Sequence, residues 1–200
     1  MSYSVAANDH AHHHPNSDAM DIFGFWIYIM SDCILFASIF AVFAVLHTQT
    51  FGGPTIKEIT NIPYILKETL ALLASSFTYG MAILALYRKN QKQVITWLIV
   101  TFVFGFSFVF LEVSEFVHLY MEHHGWQTSA ALSSFFTLVG THGFHVSMGL
   151  LWMLVMMVQV ALNGINPIIA RRLTYLGMFW AFLDIVWIFV FTVVYLMGSI

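Results

Sequence analysis

The sequence predicts an all-α, polytopic membrane protein, a bundle of five transmembrane helices, and three observations lead there. Of 200 residues, 60% are hydrophobic and 8% charged, against roughly 45–50% apolar and 25% charged in soluble domains. The mean hydropathy is +0.81. Polar punctuation divides the chain into five apolar runs, each long enough to supply the about 20 helical residues that cross a hydrocarbon core of about 30 Å. A water-filled β-barrel needs an alternating polar lumen, and a disulfide scaffold needs more than the single Cys33. Seven Lys and Arg against ten Asp and Glu give a net charge of −3, which offers no basic surface for nucleic acid.

The runs are Ile22–Leu46, Tyr64–Tyr87, Val94–Tyr120, Ser133–Leu162 and Leu173–Gly198. Residues 1–21 precede the first as a polar, His-rich tail without Lys, Arg or an apolar stretch, so it is read as disordered and not as a secretory signal. Helix one must then act as its own insertion signal. Gly52-Gly53-Pro54 mark the bend that follows it. Helix two carries Ala71, Ser75, Thr78, Ala82 and Ala85 at alternating spacings of four and three, a small-residue seam that lets another helix approach closely. In helix three, Phe102, Phe104, Phe106, Phe108 and Phe110 alternate as in a strand, yet an uncharged run in lipid satisfies its backbone only as a helix. Gly125 marks the next turn. Helix four has its own small-residue positions at Ser133, Thr137, Thr141, Gly143 and Ser147. Asn163-Gly164 and Asn166-Pro167 end it, and helix five follows Arg171 and Arg172. The connections are short, so residues 22–200 form one membrane domain.

Basic loops near helix ends are retained on the cytoplasmic side. Arg88, Lys89 and Lys92 join helices two and three and Arg171 and Arg172 precede helix five, whereas the opposite side holds Lys57, with Lys67 at the foot of helix two. The expected orientation has the N-terminus in the cytoplasm and the C-terminus in the periplasm.

Ionisable residues inside the spans are the informative ones, because a charged carboxylate at the bilayer centre costs about 2.5–3.5 kcal/mol on the insertion scale. Asp32 lies ten residues into helix one and Asp184 eleven residues into helix five, both near the midplane at 1.5 Å per residue. Trp180 and Trp187 stand at i−4 and i+3 from Asp184, on one face, within reach of donating indole N–H groups to its carboxyl. A structural role with a polar partner is expected for both aspartates ahead of direct proton transfer. Glu112, Glu115, His118 and Glu122 form a polar stripe at the end of helix three. Helix four places His142 and His145 three residues apart at mid-depth, expected as satisfied intramembrane histidines. His10, His12, His13 and His14 are read as a weakly chelating tail. Cys33 is expected as a buried small apolar residue.

Two catalytic readings fall on these residues. Glu115-x-x-His118 has the spacing of carboxylate-bridged di-iron proteins, but a second Glu-x-x-His pair is absent. His142 and His145 lie on one surface, so they cannot be opposed axial ligands of one haem. A transporter working through Asp32 and Asp184 is weakened by the odd number of helices and the lack of inverted repeats. The catalytic, cofactor and metal sites of this chain are therefore expected to be none, with a self-contained di-iron or haem enzyme as the alternative.

Three ordered motifs carry a resemblance. Phe23-Gly24-Phe25-Trp26-Ile27-Tyr28-Ile29-Met30-Ser31-Asp32-Cys33-Ile34-Leu35-Phe36, Gly140-Thr141-His142-Gly143-Phe144-His145-Val146 with Gly149, and Phe179-Trp180-Ala181-Phe182-Leu183-Asp184-Ile185-Val186-Trp187 closely resemble subunit III of haem-copper terminal oxidases. The first motif and the five-helix length are similar to the quinol oxidase branch of the cytochrome bo type. The resemblance runs from about Ile22 to the C-terminus and implies an accessory subunit of a complex that oxidises quinol, reduces dioxygen to water and pumps protons. It implies haem and copper in a partner catalytic subunit, contact with subunits I and II and a small fourth subunit, bound phospholipid, and a bacterial plasma membrane location. Roles in complex stability and in proton uptake come with it. Asp32 stands where the family has a membrane-buried carboxylate, usually Glu after Ser, that reacts with carbodiimides. Ala181 departs from the family, where many relatives have His, so no histidine role transfers to that position.

Overall fold

The computed structural model of the chain describes residues 15–47, 49, 62–121 and 129–196. The histidines of the tail, the Gly52-Gly53-Pro54 bend, Lys57, Gly125 and Glu122 lie outside the described residues. The elements are α1 (Pro15–Leu46), α2 (Ile62–Tyr87), α3 (Gln91–Met121), α4 (Ala130–Asn163) and α5 (Pro167–Val190), the last continuing as a π-helical turn, Phe191–Leu196. Five described helices are long and apolar enough to cross a membrane. The alternating phenylalanines of the third run lie within α3, so the need to satisfy the backbone in lipid overrides the strand-like pattern.

Two helices begin more than a turn earlier than the hydropathy suggests. Helix α1 starts at Pro15, inside the stretch read as tail, and α5 starts at Pro167 and includes Arg171 and Arg172. Both starts have a proline in the first turn, where a missing N–H and a fixed φ favour initiation. Asn166, extended at φ −106° and ψ 156°, precedes the second. The arginines are compatible with a helix end because long basic side chains reach water from it.

Short turns set the order of the helices. Between α2 and α3, Lys89 adopts φ 55°, its N–H bonds Leu86 O at 2.9 Å and Asn90 N–H bonds Ala85 O at 3.2 Å. This is a Schellman closure with lysine in the position glycine usually fills. Between α4 and α5, Gly164 takes φ 69° and donates to Val160 O. Gln91 Nε2 donates to Val160 O at 2.9 Å and ties the two turns together. All five basic residues expected on one side therefore gather at one end of the bundle.

Helices α2, α3, α4 and α5 form a closed ring in which each touches the next, and α1 lies outside it against α4 and α5. The seam predicted on α2 is where α3 comes closest: Ser75, Thr78, Ala82 and Ala85 are buried, and Thr78 Oγ1 meets Thr101 Oγ1 at 2.8 Å. Trp180 of α5, 1% exposed, fills the centre. A Cβ at Gly105 would sit 2.9 Å from its indole, and one at Gly149 would sit 3.0 Å from it. The indole thus lies between α3 and α4 where only glycine leaves room, and its N–H donates to Ser75 Oγ on α2 at 3.0 Å. Seven residues on, Trp187 donates to Thr69 Oγ1 at 3.1 Å and meets Phe108 edge-on at 4.7 Å.

Replacing Gly105 by Ala should destabilise the assembled subunit by about 1–3 kcal/mol through overpacking against Trp180. Thermal denaturation of the purified protein in detergent checks it, and an unchanged midpoint would mean that the indole has room to move.

Candidate functional site

The polar groups of the membrane interior fall into three sets, each placed by different helices. Across the α1–α4 contact, His145 Nε2 lies 3.3 Å from Asp32 Oδ1, while His145 Nδ1 is 2.7 Å from Thr141 O. A carbonyl can only accept, so Nδ1 carries a hydrogen and Nε2 faces the carboxyl. Phe36 packs on the His145 ring at 5.2 Å and screens the contact. Helical periodicity puts Asp32 and Phe36, four residues apart, on the same face of α1.

The second set ties α5 to α2. Ser76 Oγ donates to Asp184 Oδ2, beside the Trp180–Ser75 and Trp187–Thr69 bonds, and Tyr79 Oη donates to Leu173 O at 2.6 Å. The indole donors expected for Asp184 go elsewhere. At 100° per residue, Trp180 and Trp187 lie about 40° and 60° around the helix from Asp184, so both rings point into the ring of helices while the carboxyl faces the flank of α2. Ser75 and Thr69 each bond a carbonyl of their own helix, Leu72 O and Ile65 O, which orients their lone pairs toward the indoles.

The third set is at the end of the ring away from the basic turn. Glu112 and Glu115 of α3 stand across the α2–α3 contact from Glu68 of α2, in the register set by Tyr64 Oη, one turn outward, which donates to Leu111 O at 3.0 Å. Glu112 rests against Gly143 of α4, where a Cβ would lie 2.5 Å from both carboxyl oxygens. His118 is exposed beyond them.

His142 does not join His145. It is 0% exposed, with Trp187 at 5.1 Å, Phe108 at 5.8 Å and Phe36 at 6.4 Å between ring centroids, and neither ring nitrogen has a hydrogen-bond partner. The expected satisfied histidine is thus found only at position 145. Cys33, expected to be buried, is exposed. It follows Asp32 by 100° on a helix that has neighbours on one side only, and it lines a cavity of 540 Å³ between α1 and α5 with Phe36, Phe40, Phe182 and Phe189. Among the described residues no group of three or more His, Cys, Asp or Glu is placed to hold a metal ion.

Sequence reasoning missed Glu68, although it stands four residues inside the expected start of helix two and is subject to the same rule as Asp32. Ser76 and Thr69 carried no signal of their own, since hydroxyls in membrane helices usually bond the preceding turn.

Comparison with known proteins decides the family. The family described as cytochrome c oxidase subunit III matches residues 4–199. The chain belongs to this family. The cytochrome bo(3) ubiquinol oxidase subunit 3 of Pseudomonas aeruginosa is 54% identical over 193 residues, covering 96% of this chain and 92% of that protein. The quinol oxidase subunit 3 of Bacillus subtilis is 41% identical over 179 residues, 90% of this chain and 88% of that one. The cytochrome c oxidase subunit 3 of Bacillus sp. strain PS3 is 41% identical over 177 residues, 88% and 86% of the two chains. The subunit III family accounts for the three motifs on α1, α4 and α5, and these relatives give the di-iron or haem enzyme reading no support. The protein is a multi-pass membrane subunit that works with other oxidase subunits.

Proposed function

We propose that the chain is the non-catalytic third subunit of a proton-pumping quinol oxidase in a bacterial plasma membrane, where the complex oxidises quinol and reduces dioxygen to water. The observation that carries this reading is 54% identity to a ubiquinol oxidase subunit 3 over 96% of the chain. Haem and copper belong to the catalytic subunit I, and subunits I and II and a small fourth subunit are the partners. The apolar cavity between α1 and α5 suits the acyl chain of a phospholipid, since its lining is aromatic and aliphatic. Asp32 and His145 join α1 to the ring. Asp184, bonded by Ser76, serves the stability of the bundle, and Glu112, Glu115, His118 and His142 take a structural, lipid or proton-uptake role.

Orientation follows from charge. Arg88, Lys89, Lys92, Arg171 and Arg172 share one end, which supports a cytoplasmic location for that end and for the N-terminus.

Affinity purification of this chain from membranes should bring down a haem-containing quinol oxidase, while the chain stripped of its partners should be colourless and free of iron. Stoichiometric iron or a haem spectrum in the stripped chain would overturn the accessory role. A reporter fused after Ile200 should be active only in the periplasm, and one inserted between Arg88 and Lys92 only in the cytoplasm; the reverse pattern would invert the topology. For Asp32, the Asn variant retains a group that can donate to His145 Nε2, so the oxidase should assemble, turn over and pump almost as the parent does. Asp32→Leu leaves that nitrogen without a partner, at about 1–3 kcal/mol, and should assemble less well. Strong loss of pumping in a fully assembled Asn variant, measured in reconstituted vesicles, would make Asp32 a proton carrier instead.

A further inference from the structure

The interior of the ring contains more carboxyl groups than the contact of α1 with α4 or the ladder between α2 and α5 uses. Glu68 is 0% and Glu112 2% exposed, and all four of their carboxyl oxygens are buried without a hydrogen-bond partner, as is Oε2 of Glu115. The space is built for them. Glycine at 143 is what admits the Glu112 carboxyl between α3 and α4, because a Cβ would lie 2.5 Å from both of its oxygens. Glu115 is half-buried and lies toward the end of α3.

The surroundings offer little positive charge. From α2 come Tyr64, whose hydroxyl is committed to Leu111 O, and Lys67, which is exposed. From α3 comes His118, exposed one turn beyond Glu115. From α4 comes Gly143, with His142 beside it enclosed by Trp187, Phe108 and Phe36. From α5 comes Trp187, whose N–H is given to Thr69. No lysine or arginine is among the buried residues described, and no metal-holding group is found among them. Three neighbouring carboxylates in a low-dielectric interior repel one another and lose their hydration together. A carboxylic acid in the same place supplies a donor that a neighbouring carboxyl oxygen accepts.

We propose that Glu68, Glu112 and Glu115 form a buried proton-binding site, in which Glu68 and Glu112 hold protons and half-buried Glu115 exchanges them with the aqueous phase at that end of the bundle. The site draws on three helices of the ring and is independent of the contact between Asp32 and His145. It rests on the ring alone, so it stands or falls separately from the reading of the chain as a quinol oxidase subunit.

Infrared spectroscopy of the purified assembly containing this chain tests it at neutral pH. The C=O stretch of protonated carboxyl groups should shift in heavy water and on isotopic labelling of glutamate carboxyls. Part of that absorption should disappear in Glu68→Gln and again in Glu112→Gln, while Asp184→Asn leaves the labelled-glutamate band intact. Loss of carboxylate bands instead, with the protonated-carboxyl region unchanged in both variants, would overturn the proposal. So would failure of both glutamine variants to assemble, since a neutral amide of the same shape should replace a protonated carboxyl.

Discussion

The indole of Trp180 is the element on which the rest of the bundle depends. Lipid tails are as apolar as leucine, so helices in a membrane gain little by hiding apolar surface from them, and association relies on close packing and on hydrogen bonds between helices. Trp180 supplies both from one side chain. Its ring occupies the space left by Gly105 on α3 and Gly149 on α4, and its N–H reaches Ser75 on α2. Trp187 repeats the arrangement seven residues further along, with Thr69 as acceptor and Phe108 and His142 as walls. Four helices are fixed relative to one another by two rings on one helix face.

This construction also explains where the small residues fall. On α2 they line the contact with α3 and provide the hydroxyls that receive the indoles. On α5, Gly177 accommodates the Tyr79 ring, which a Cβ there would meet at 2.7 Å, and the Tyr79 hydroxyl closes onto Leu173 O. The α2–α5 contact is thus polar along its length, and Ser75 and Thr69 each bond twice, to their own helix and across to an indole of α5.

The spans were legible in the sequence because the bilayer imposes length and apolarity on every crossing, whatever the neighbours are. The three motifs were legible for the same chain-local reason. Pairing across helices was not. Asp32 and His145 both stood out as intramembrane polar residues, but their meeting depends on how α1 crosses α4, which no periodicity within either helix encodes. The assignment of the indoles to Asp184 failed by about 40–60° of helix rotation, a difference that spacing arguments treat as one face and packing does not. His142 and His145 illustrate the same limit: three residues apart and nominally on one surface, they serve the inside of the ring and the contact with α1 respectively.

That division separates two kinds of stability. The ring is held by the Trp180 indole in its glycine cleft, by Trp187 against Phe108 and His142, and by several hydroxyl bonds, so loss of one contact is shared among several others. Helix α1 has neighbours on one side only. Its polar ties among the described residues include the contact of Asp32 with His145 near mid-depth and a longer one at the bundle's basic end, Asp21 to Arg171 at 3.8 Å; the latter is well exposed and worth little by itself. Between them Phe25 stacks on Tyr175 at 5.0 Å, and one turn beyond Asp32 Phe36 covers His145. Cavities of 540 Å³ and 320 Å³ flank α1 against α5 and α4, so much of its length touches neither. A change at Trp180 therefore acts on the fold of the subunit as a whole, whereas a change at Asp32 acts on the angle and attachment of one helix, with the ring left standing.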